Sequence, residues 1–439
     1  MFKKLTFTIF FILVNLVFAD KALVISDIHF NPFADCSRMP LHCSKLNSLI
    51  ENPIEKWQFD ETVPSNYKEE TNNFLLTKSL IKFKEQIKPD QNLNIFITGD
   101  MLTHGFSLKY KYYKTFTSQK DIAEFKAKTL LYVLLKIHNI FPRSKIYFVL
   151  GNNDSDQGDY KLPTNNWLKK IAIGLSAYLP EPNQISFVDQ FTKGGYYSIP
   201  LNNKIQIIGI NDNVFTSHNN DTANKKAAQE ELNWLNQQLF INKQAGKKMI
   251  ILQHMPLGVD VYSSIKKNNT VMLLDSFLQN QYVTLLKKYS NNIANIYSGH
   301  LHAEYFQEVG GVPVLGTIAL NRYFGNNAGL KLVEYNENTG QITKFTTFEV
   351  INKNKDLVWL QMYSYPNSYN TTDSLDKFIA RFPNDINSKA ARLYQTNYDG
   401  NSSQTIRMIH DDKYWNKYYC FMLFIDKSDY AKCLNNPGK

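Results

Sequence analysis

ALVISDIHF, residues 22–30, places a short apolar run directly before an aspartate and a histidine. Short apolar or β-branched runs recur in NIFITGD (94–100), KIYFVLGN (145–152), IQIIGIND (205–212), MIILQHM (249–255) and NIYSGHLH (295–302). Amphipathic patterns typical of helices lie between several of them, at 71–88, 119–140, 226–240 and 271–289. This alternation of strands and helices predicts a layered α/β domain.

The pattern changes after residue 302. YFQEVG, VPVLGTIAL, GLKLVEYN and ITKFTTFEV follow one another with only turn residues between them, which predicts an antiparallel run that closes the domain near Val350. From 351 the chain is richer in Tyr and Asn, with helix-like stretches at 374–382 and 388–396. We therefore expect a catalytic domain at 20–350 and a small C-terminal helical subdomain at 351–439.

Residues 1–19, MFKKLTFTIFFILVNLVFA, combine a short basic start with an apolar run and a small residue at the end. This is typical of a secretory signal peptide. A membrane anchor is the alternative, but the run is shorter than the ~20 apolar residues that span a bilayer. No later segment is apolar for long enough, so we expect a secreted or periplasmic protein without a transmembrane segment once the signal is removed.

The four cysteines are an even number, and export permits disulfides. Local pairs Cys36–Cys43 and Cys420–Cys433 are the simplest of the three connectivities, with free thiols as the alternative. Lys+Arg 49 against Asp+Glu 39 gives a net charge of +10, yet only six of the 49 are Arg and no basic run is interleaved with aromatic residues. We expect no nucleic-acid binding, and a hydrophobic content of 43% excludes a disordered polymer.

Side chains that can bind metals stand at the ends of the predicted strands: Asp27, His29, Asp100, Asn152, His254, His300 and His302. Each of these residues alone is weak evidence for a metal site, since it could cap a turn or be a histidine packed in the core. Taken in order they predict a metal site, because the ends of such strands meet at one edge. Imidazole and carboxylate suit Zn²⁺, Fe or Mn²⁺ without thiolates, and a pair of ions needs a shared carboxylate. Alternation along an extended D-x-H or H-x-H segment predicts that its two ligands point to one side.

Four segments carry a resemblance to a known family: SDIHFNPF (26–33) with a following Cys, HMPLGVD (254–260), GHLHAEYF (299–306) and NNAGLKLVEYN (326–336). They resemble the acid sphingomyelinase-like phosphodiesterases, secreted zinc enzymes within the calcineurin-like metallophosphoesterase superfamily. The resemblance covers roughly residues 22–350. It implies a layered β-sandwich flanked by helices, and a phosphodiesterase that uses two divalent metal ions, with zinc expected and Fe or Mn as alternatives.

The resemblance also implies the roles of individual residues. Asp27, His29 and His302 would bind the first ion, Asn152, His254 and His300 the second, and Asp100 would bridge the two. A hydroxide between the ions would attack the phosphorus of a phosphodiester or phosphoanhydride, such as a nucleotide or choline-phosphate compound. His104, in GDMLTH, would contact the substrate phosphate, with a surface histidine in a loop as the alternative, and we also expect Asn153 to contact the substrate. Phe30 could stack on a base or on choline, although core packing is at least as strong an alternative.

Two departures from the family bear on the substrate. Many members have a histidine directly after the ligand Asn, where it helps protonate the leaving oxygen, but this chain has Asn153 there. An amide cannot act as a general acid, so we expect a preference for good leaving groups unless His104 supplies the proton. No six-cysteine saposin-like module precedes the first strand, which disfavours sphingomyelin in membranes. The alternatives are a polyphosphatase or phosphomonoesterase on the same metal pair, or a secreted binding protein that has lost catalysis.

Overall fold

The computed structural model describes residues 19–36, 43–87, 93–179, 181–219, 221–353, 356–382 and 385–437. The predicted signal peptide lies outside the described residues except for Ala19, which begins the first strand. No helix in these ranges is both long and apolar enough to cross a membrane.

Two six-stranded sheets form the centre of the molecule. Their strands are β1 (Ala19–Ile25), β2 (Asn94–Ile97), β3 (Ile146–Phe148), β4 (Tyr197–Pro200), β5 (Ile205–Gly209), β6 (Lys248–Leu252), β7 (Ile293–Ser298), β8 (Phe306–Val309), β9 (Val312–Gly316), β10 (Ala328–Asn336), β11 (Ile342–Lys353) and β12 (Asp356–Tyr365). The first sheet has the order β12-β11-β10-β1-β2-β3, and the second β4-β5-β6-β7-β9-β8. Both sheets are mixed, so the predicted α/β class is confirmed.

Helices connect and follow the strands. They are α1 (Ser44–Glu51), α2 (Asn73–Ile87), α3 (Phe106–Tyr113), α4 (Gln119–Ile140), α5 (Asn165–Ser176), α6 (Glu181–Gly194), α7 (Thr222–Gln244), α8 (Val261–Lys267), α9 (Ser276–Tyr289), α10 (Leu375–Ala380), α11 (Lys389–Asn397), α12 (Asp412–Leu423) and α13 (Lys427–Asn435). The four helices predicted between strands correspond to α2, α4, α7 and α9. Their apolar faces lie in the core, as Leu76 and Leu80 of α2 do.

The sheet centres are buried on both faces. β1, β2 and β3 pair in parallel, as do β5, β6 and β7. Rings from the two sheets meet, since Phe96 of β2 lies 5.5 Å from Tyr297 of β7. Strands covered on both sides read as continuous apolar runs, which is why these segments were recognisable in the sequence. The carboxyl ends of β1, β2, β3, β6 and β7 carry the predicted ligands.

The predicted antiparallel run consists of two antiparallel pairs that lie in different sheets. β8 and β9 form a hairpin, and β9 then pairs in parallel with β7. β10 and β11 belong to the first sheet, where β10 pairs with β1. Residues 317–327 carry the chain from one sheet to the other. Local alternation predicts a strand but cannot say which sheet it joins.

The C-terminal segment begins with a strand that we did not predict. β12 pairs with β11 as the edge of the first sheet, and its Leu357 and Trp359 are buried. Helices α10 and α11 follow where helices were expected, and α12 and α13 complete the segment. A strand at 356–365 thus extends the first sheet beyond Val350, while the limits of the two domains stay a prediction.

Both predicted disulfides are present. Cys36 bonds to Cys43, Cys420 bonds to Cys433, and none of the four cysteines is free. The second bond joins α12 to α13. Export of the oxidised protein stays a prediction.

Replacing both Cys420 and Cys433 by Ser should lower the free energy of unfolding by about 3 kcal/mol, because the cross-link restricts the unfolded chain over a loop of 13 residues. Urea unfolding of the variant and of the oxidised wild type measures the difference. Equal midpoints and slopes would contradict the expectation, and mass spectrometry without reduction verifies that the wild-type bonds are formed.

Candidate metal centre and cleft

The seven predicted ligands all lie in turns that follow strands, and five of them have a left-handed backbone. The φ angles are 47° at Asp27, 45° at His29, 53° at Asp100, 67° at His300 and 53° at His302. This corrects the expectation that D-x-H and H-x-H are extended segments with alternating side chains. Non-glycine residues rarely adopt positive φ, and such positions concentrate at functional sites.

Backbone hydrogen bonds between the turns hold this geometry. The His29 amide donates to the Asp100 carbonyl at 2.9 Å, and the Gly299 amide donates to the His254 carbonyl at 2.8 Å. A Cβ on Gly299 would lie 2.1 Å from Ser26 Oγ. The absence of a side chain at Gly299 therefore permits this close approach and brings the turns after β1 and β7 together.

The first cluster contains Asp27, His29 and His302. His29 Nε2 lies 3.0 Å from His302 Nε2, and His302 Nε2 lies 3.5 Å from Asp27 Oδ1. His29 Nε2 and Asp27 Oδ1 are 3.9 Å apart. All three side chains are buried, so their donor atoms face one another rather than solvent.

The second cluster contains Asn152, His254 and His300. Asn152 Oδ1 lies 2.9 Å from His254 Nε2 and 3.0 Å from His300 Nδ1. The two histidine nitrogens are 3.3 Å apart. Asp100 lies between the clusters, because its Oδ2 is 3.4 Å from His29 Nε2 and 3.4 Å from His254 Nε2.

The arrangement of protons and lone pairs fits metal ions. His29 Nδ1 lies 3.0 Å from the Leu102 carbonyl and His254 Nδ1 lies 2.8 Å from the Thr98 carbonyl, so each ring donates there and turns Nε2 inward. Burial opposes a charge on His254, but Asp100 raises its pKa to about 10, so Nε2 carries a proton unless a cation stands between it and the Asn152 oxygen. A cation satisfies both atoms, and this set of nitrogen and oxygen donors suits Zn²⁺, Fe or Mn²⁺.

The carboxylates of the centre point to the same requirement for positive charge. Burial raises the pKa of Asp27 to about 7; His254 opposes this rise, and the charge of Asp100 adds to it. Burial also opposes ionisation of Asp100, but His254 and His29 lower its pKa well below the ordinary value. A cation bound beside His29, which lies 3.9 Å from Asp27 and 3.4 Å from Asp100, would compensate both buried carboxylates.

Two buried aspartates that we did not predict as functional residues hold the ligand turns. Asp154 accepts hydrogen bonds from the amides of Met101 at 3.1 Å, Leu102 at 2.9 Å and Gly151 at 3.0 Å, so it ties the turn after β2 to the turn after β3. Asp212 accepts from the amides of His254 and Met255. Burial raises the pKa of each aspartate to about 7. The aspartate that ends GNND (151–154) and the aspartate that ends IQIIGIND (205–212) were the available signals.

Asparagine side chains near Asp100 are also oriented by hydrogen bonds. Asn152 Nδ2 donates to Asp159 Oδ1 at 2.6 Å, which directs Asn152 Oδ1 toward the histidines. Asn153 Nδ2 donates to Asp100 Oδ2 at 2.9 Å, and the Asn153 amide donates to Asp100 Oδ1 at 2.8 Å. The structure thus places Asn153 against Asp100, and substrate contact by Asn153 stays a prediction.

His104 lies directly over the first cluster. Its ring stacks on that of His29 with 3.9 Å between centroids, and its Nδ1 lies 2.9 Å from Glu70 Oε1. Burial alone would raise the pKa of Glu70 and lower that of His104, but their hydrogen bond and mutual attraction reverse both: the pKa of Glu70 falls to about 2 and that of His104 rises. Glu70 was missed because nothing in its local sequence marks it.

Phe30 lies in the core. It has no exposed surface, and its ring contacts Phe59 and Tyr132 at centroid distances of 5.6 and 5.3 Å. A ring without exposed surface cannot contact a substrate directly. The alternative of core packing therefore describes this residue, and Phe30 is not carried into the proposed site.

A cleft of about 250 Å³ opens over the clusters. Its walls come from the loops that follow strands of both sheets, from the start of α8 and from the C-terminal segment. The lining includes Asp100, His104, Asn152, Asp159, Tyr160, Asp260, Tyr262, His300, His302, Phe324, Tyr398 and Arg407. Arg407 and Tyr398 are contributions of the C-terminal segment that sequence reasoning did not predict.

Comparison with known proteins identifies the family of the chain. The family model of calcineurin-like phosphoesterases matches residues 21–304. The chain is 23% identical over 444 residues to acid sphingomyelinase-like phosphodiesterase 3b of Mus musculus, covering 94% of this chain and 90% of the relative. It is 28% identical over 175 residues to a cyclic GMP-AMP phosphodiesterase of Bos taurus, covering 38% and 36% of the two chains.

Solved structures include a similar dimetal phosphatase from Danio rerio, with a TM-score of 0.44 and 10% identity. The similarity covers 78% of this chain and 98% of the other.

Proposed function

Because the chain belongs to the calcineurin-like phosphoesterases, we propose that it is an exported two-metal phosphodiesterase whose substrate is a small phosphodiester or phosphoanhydride. Its relatives over most of the chain are phosphodiesterases, and hydrolysis of phosphoric esters is the activity of the family. The disulfides support export, since such bonds persist outside the reducing cytosol.

The single observation that carries the metal assignment is the position of Asp100. One carboxylate oxygen stands 3.4 Å from a histidine of each cluster. Asp27, His29 and His302 would hold one ion and Asn152, His254 and His300 the other, with Asp100 shared. Bound there, two divalent ions supply Lewis acidity at the phosphoryl oxygens and lower the pKa of water.

The protein's own groups then orient and protonate the substrate. In hydrolysis the oxygen of water forms a bond to phosphorus, the bond from phosphorus to the leaving oxygen breaks, and that oxygen takes up a proton. His104 stands at the cleft with Nδ1 committed to Glu70, which leaves Nε2 to meet the substrate phosphate or the leaving oxygen. Asn153 holds the Asp100 carboxylate in place.

Metal analysis tests this assignment. We expect two equivalents of Zn²⁺, Fe or Mn²⁺ per chain in purified protein, and loss of hydrolysis after removal by a chelator. His254→Ala should retain about one equivalent, because it removes a donor from the second cluster alone. His138→Ala, a change on α4 away from the cleft, is the matched control and should retain two.

The same measurement separates an enzyme from a binding protein without catalysis. A binding protein without catalysis has no reason to hold two equivalents of metal per chain. Fewer than one equivalent in the wild type after incubation with excess metal would contradict the proposal.

A further inference from the structure

Arg407 places a buried positive charge in the wall of the cleft. The residue is 7% exposed. One guanidinium nitrogen, Nη2, donates to the carbonyl of Leu301, the residue between His300 and His302. The guanidinium also lies 4.4 Å from the centre of the Phe324 ring. Arg407 therefore touches the turn that carries two predicted metal ligands.

This guanidinium has no acidic partner in the described part of the chain. Its Nη1 is buried and has no hydrogen-bond partner among those residues, and no carboxylate there forms an ion pair with it. Three acids line the same cleft: Asp100, Asp159 and Asp260. Asp260 accepts from the Ser263 amide at 2.9 Å at the start of α8, and Asp159 accepts from Asn152 Nδ2 at 2.6 Å. A buried charge without a counter-charge is unfavourable unless an anion binds.

The position of Arg407 is fixed by its neighbours. The Ile406 amide donates to the Phe324 carbonyl at 3.0 Å, and Phe324 packs edge-on against His302 at 4.8 Å. The guanidinium is thus held beside the metal clusters by the same loop that lines the cleft. Arginine binds phosphate through two parallel hydrogen bonds, and a preorganised guanidinium loses little freedom on binding.

We propose that Arg407 is a specificity residue that binds a second phosphate of the substrate, attached directly to the phosphate that is cleaved. This inference rests on the proposed function. It favours compounds with linked phosphates, and it disfavours choline phosphodiesters, whose quaternary ammonium would meet a fixed positive charge. Linked phosphates occur in nucleotides and in inorganic polyphosphate, and the shared chemistry is what Arg407 recognises.

Kinetics of Arg407→Gln with three substrates tests the proposal. We expect KM for ATP and for tripolyphosphate to rise about 10- to 100-fold, as expected for loss of a charge-assisted pair. KM for p-nitrophenyl phosphocholine should not rise and should fall slightly, because the charge that repels the quaternary ammonium is gone. For ATP and tripolyphosphate, the KM of Arg407→Lys should lie between those of the wild type and Arg407→Gln, since lysine keeps the charge but loses the paired donors. Arg392→Gln, which removes an exposed arginine of the same segment, is the matched control.

Several results would overturn the inference. Equal increases in KM for all three substrates would show that Arg407 only supports the structure of the cleft. An increase in KM for ATP but not for tripolyphosphate would show recognition of the nucleoside rather than of the phosphate. A wild type that lacks both metals and hydrolyses none of the substrates would instead refute the proposed function.

Inhibition of the wild type gives a test that does not depend on a folded variant. With p-nitrophenyl phosphocholine as the substrate and metal in excess, pyrophosphate should inhibit at concentrations at least about tenfold lower than orthophosphate, because only pyrophosphate reaches both the metal clusters and Arg407. Equal inhibition by the two anions would refute the proposal. In Arg407→Gln the difference should disappear.

Discussion

Asp100→Asn should lower kcat by about three orders of magnitude or more while the protein stays folded. The exchange keeps the shape of the side chain but removes the negative charge that stands between the two clusters. The fold should survive because the turn is held separately, through the bonds from the Met101 and Leu102 amides to Asp154. Turnover, thermal melting and metal content are to be measured together.

Asp376→Asn is the matched control for this experiment, since it changes an exposed aspartate on α10 in the same way. The control should match the wild type in all three measurements. Near-normal turnover in a folded Asp100→Asn protein would refute a mechanism that depends on a carboxylate shared by two metals.

His104→Gln should have an effect that depends on the leaving group. For an alkyl phosphodiester the leaving oxygen becomes an alcohol about as weakly acidic as water (~15.7), and loss of a positioned acid should lower kcat about 10²- to 10⁴-fold. When the leaving group is itself a phosphate, with a second pKa of ~6, the loss should stay below about tenfold. A choline phosphodiester and ATP are the two substrates to compare.

The ion pair between His104 and Glu70 gives a second test of the role of His104. If Glu70 acts through His104, then Glu70→Gln should lower the rate for the alkyl ester less than His104→Gln, and the double variant should be no slower than His104→Gln alone. His138→Gln serves as the control for loss of an imidazole. Equal losses on both substrates, seen mainly as a higher KM, would assign His104 to phosphate binding rather than to proton transfer.

Much of the fold was predictable because its signals are local. β2 lies inside the predicted segment 94–100, and β6 begins one residue before the predicted segment 249–255. Helix α4 (Gln119–Ile140) has the predicted bounds. β4 and β12 were missed. β4 is only four residues long, and β12 is a half-exposed edge strand whose pattern is irregular. Their pairing partners, rather than their own residues, define them as strands.

The candidate site was predictable in its members but not in its form. Asp27 and His302 are far apart in sequence, yet each follows an apolar strand, and that feature is visible without a structure. The left-handed backbone at both positions was not visible, since Asp and His carry no local signal for positive φ as strong as that of glycine. The turns impose this conformation on residues that would otherwise avoid it.

The sequence by itself determined the chemistry of the site: which donor atoms are available, the strands that present them, and the absence of a proton donor at Asn153. Only the tertiary structure decided the distances, namely that Asp100 Oδ2 stands equally close to His29 and His254, and that Arg407 comes to lie against Leu301. Residue types encode what a side chain can bind. Contacts between turns of two different sheets, and between the C-terminal segment and the cleft, depend on how the whole core packs, which short-range patterns do not record.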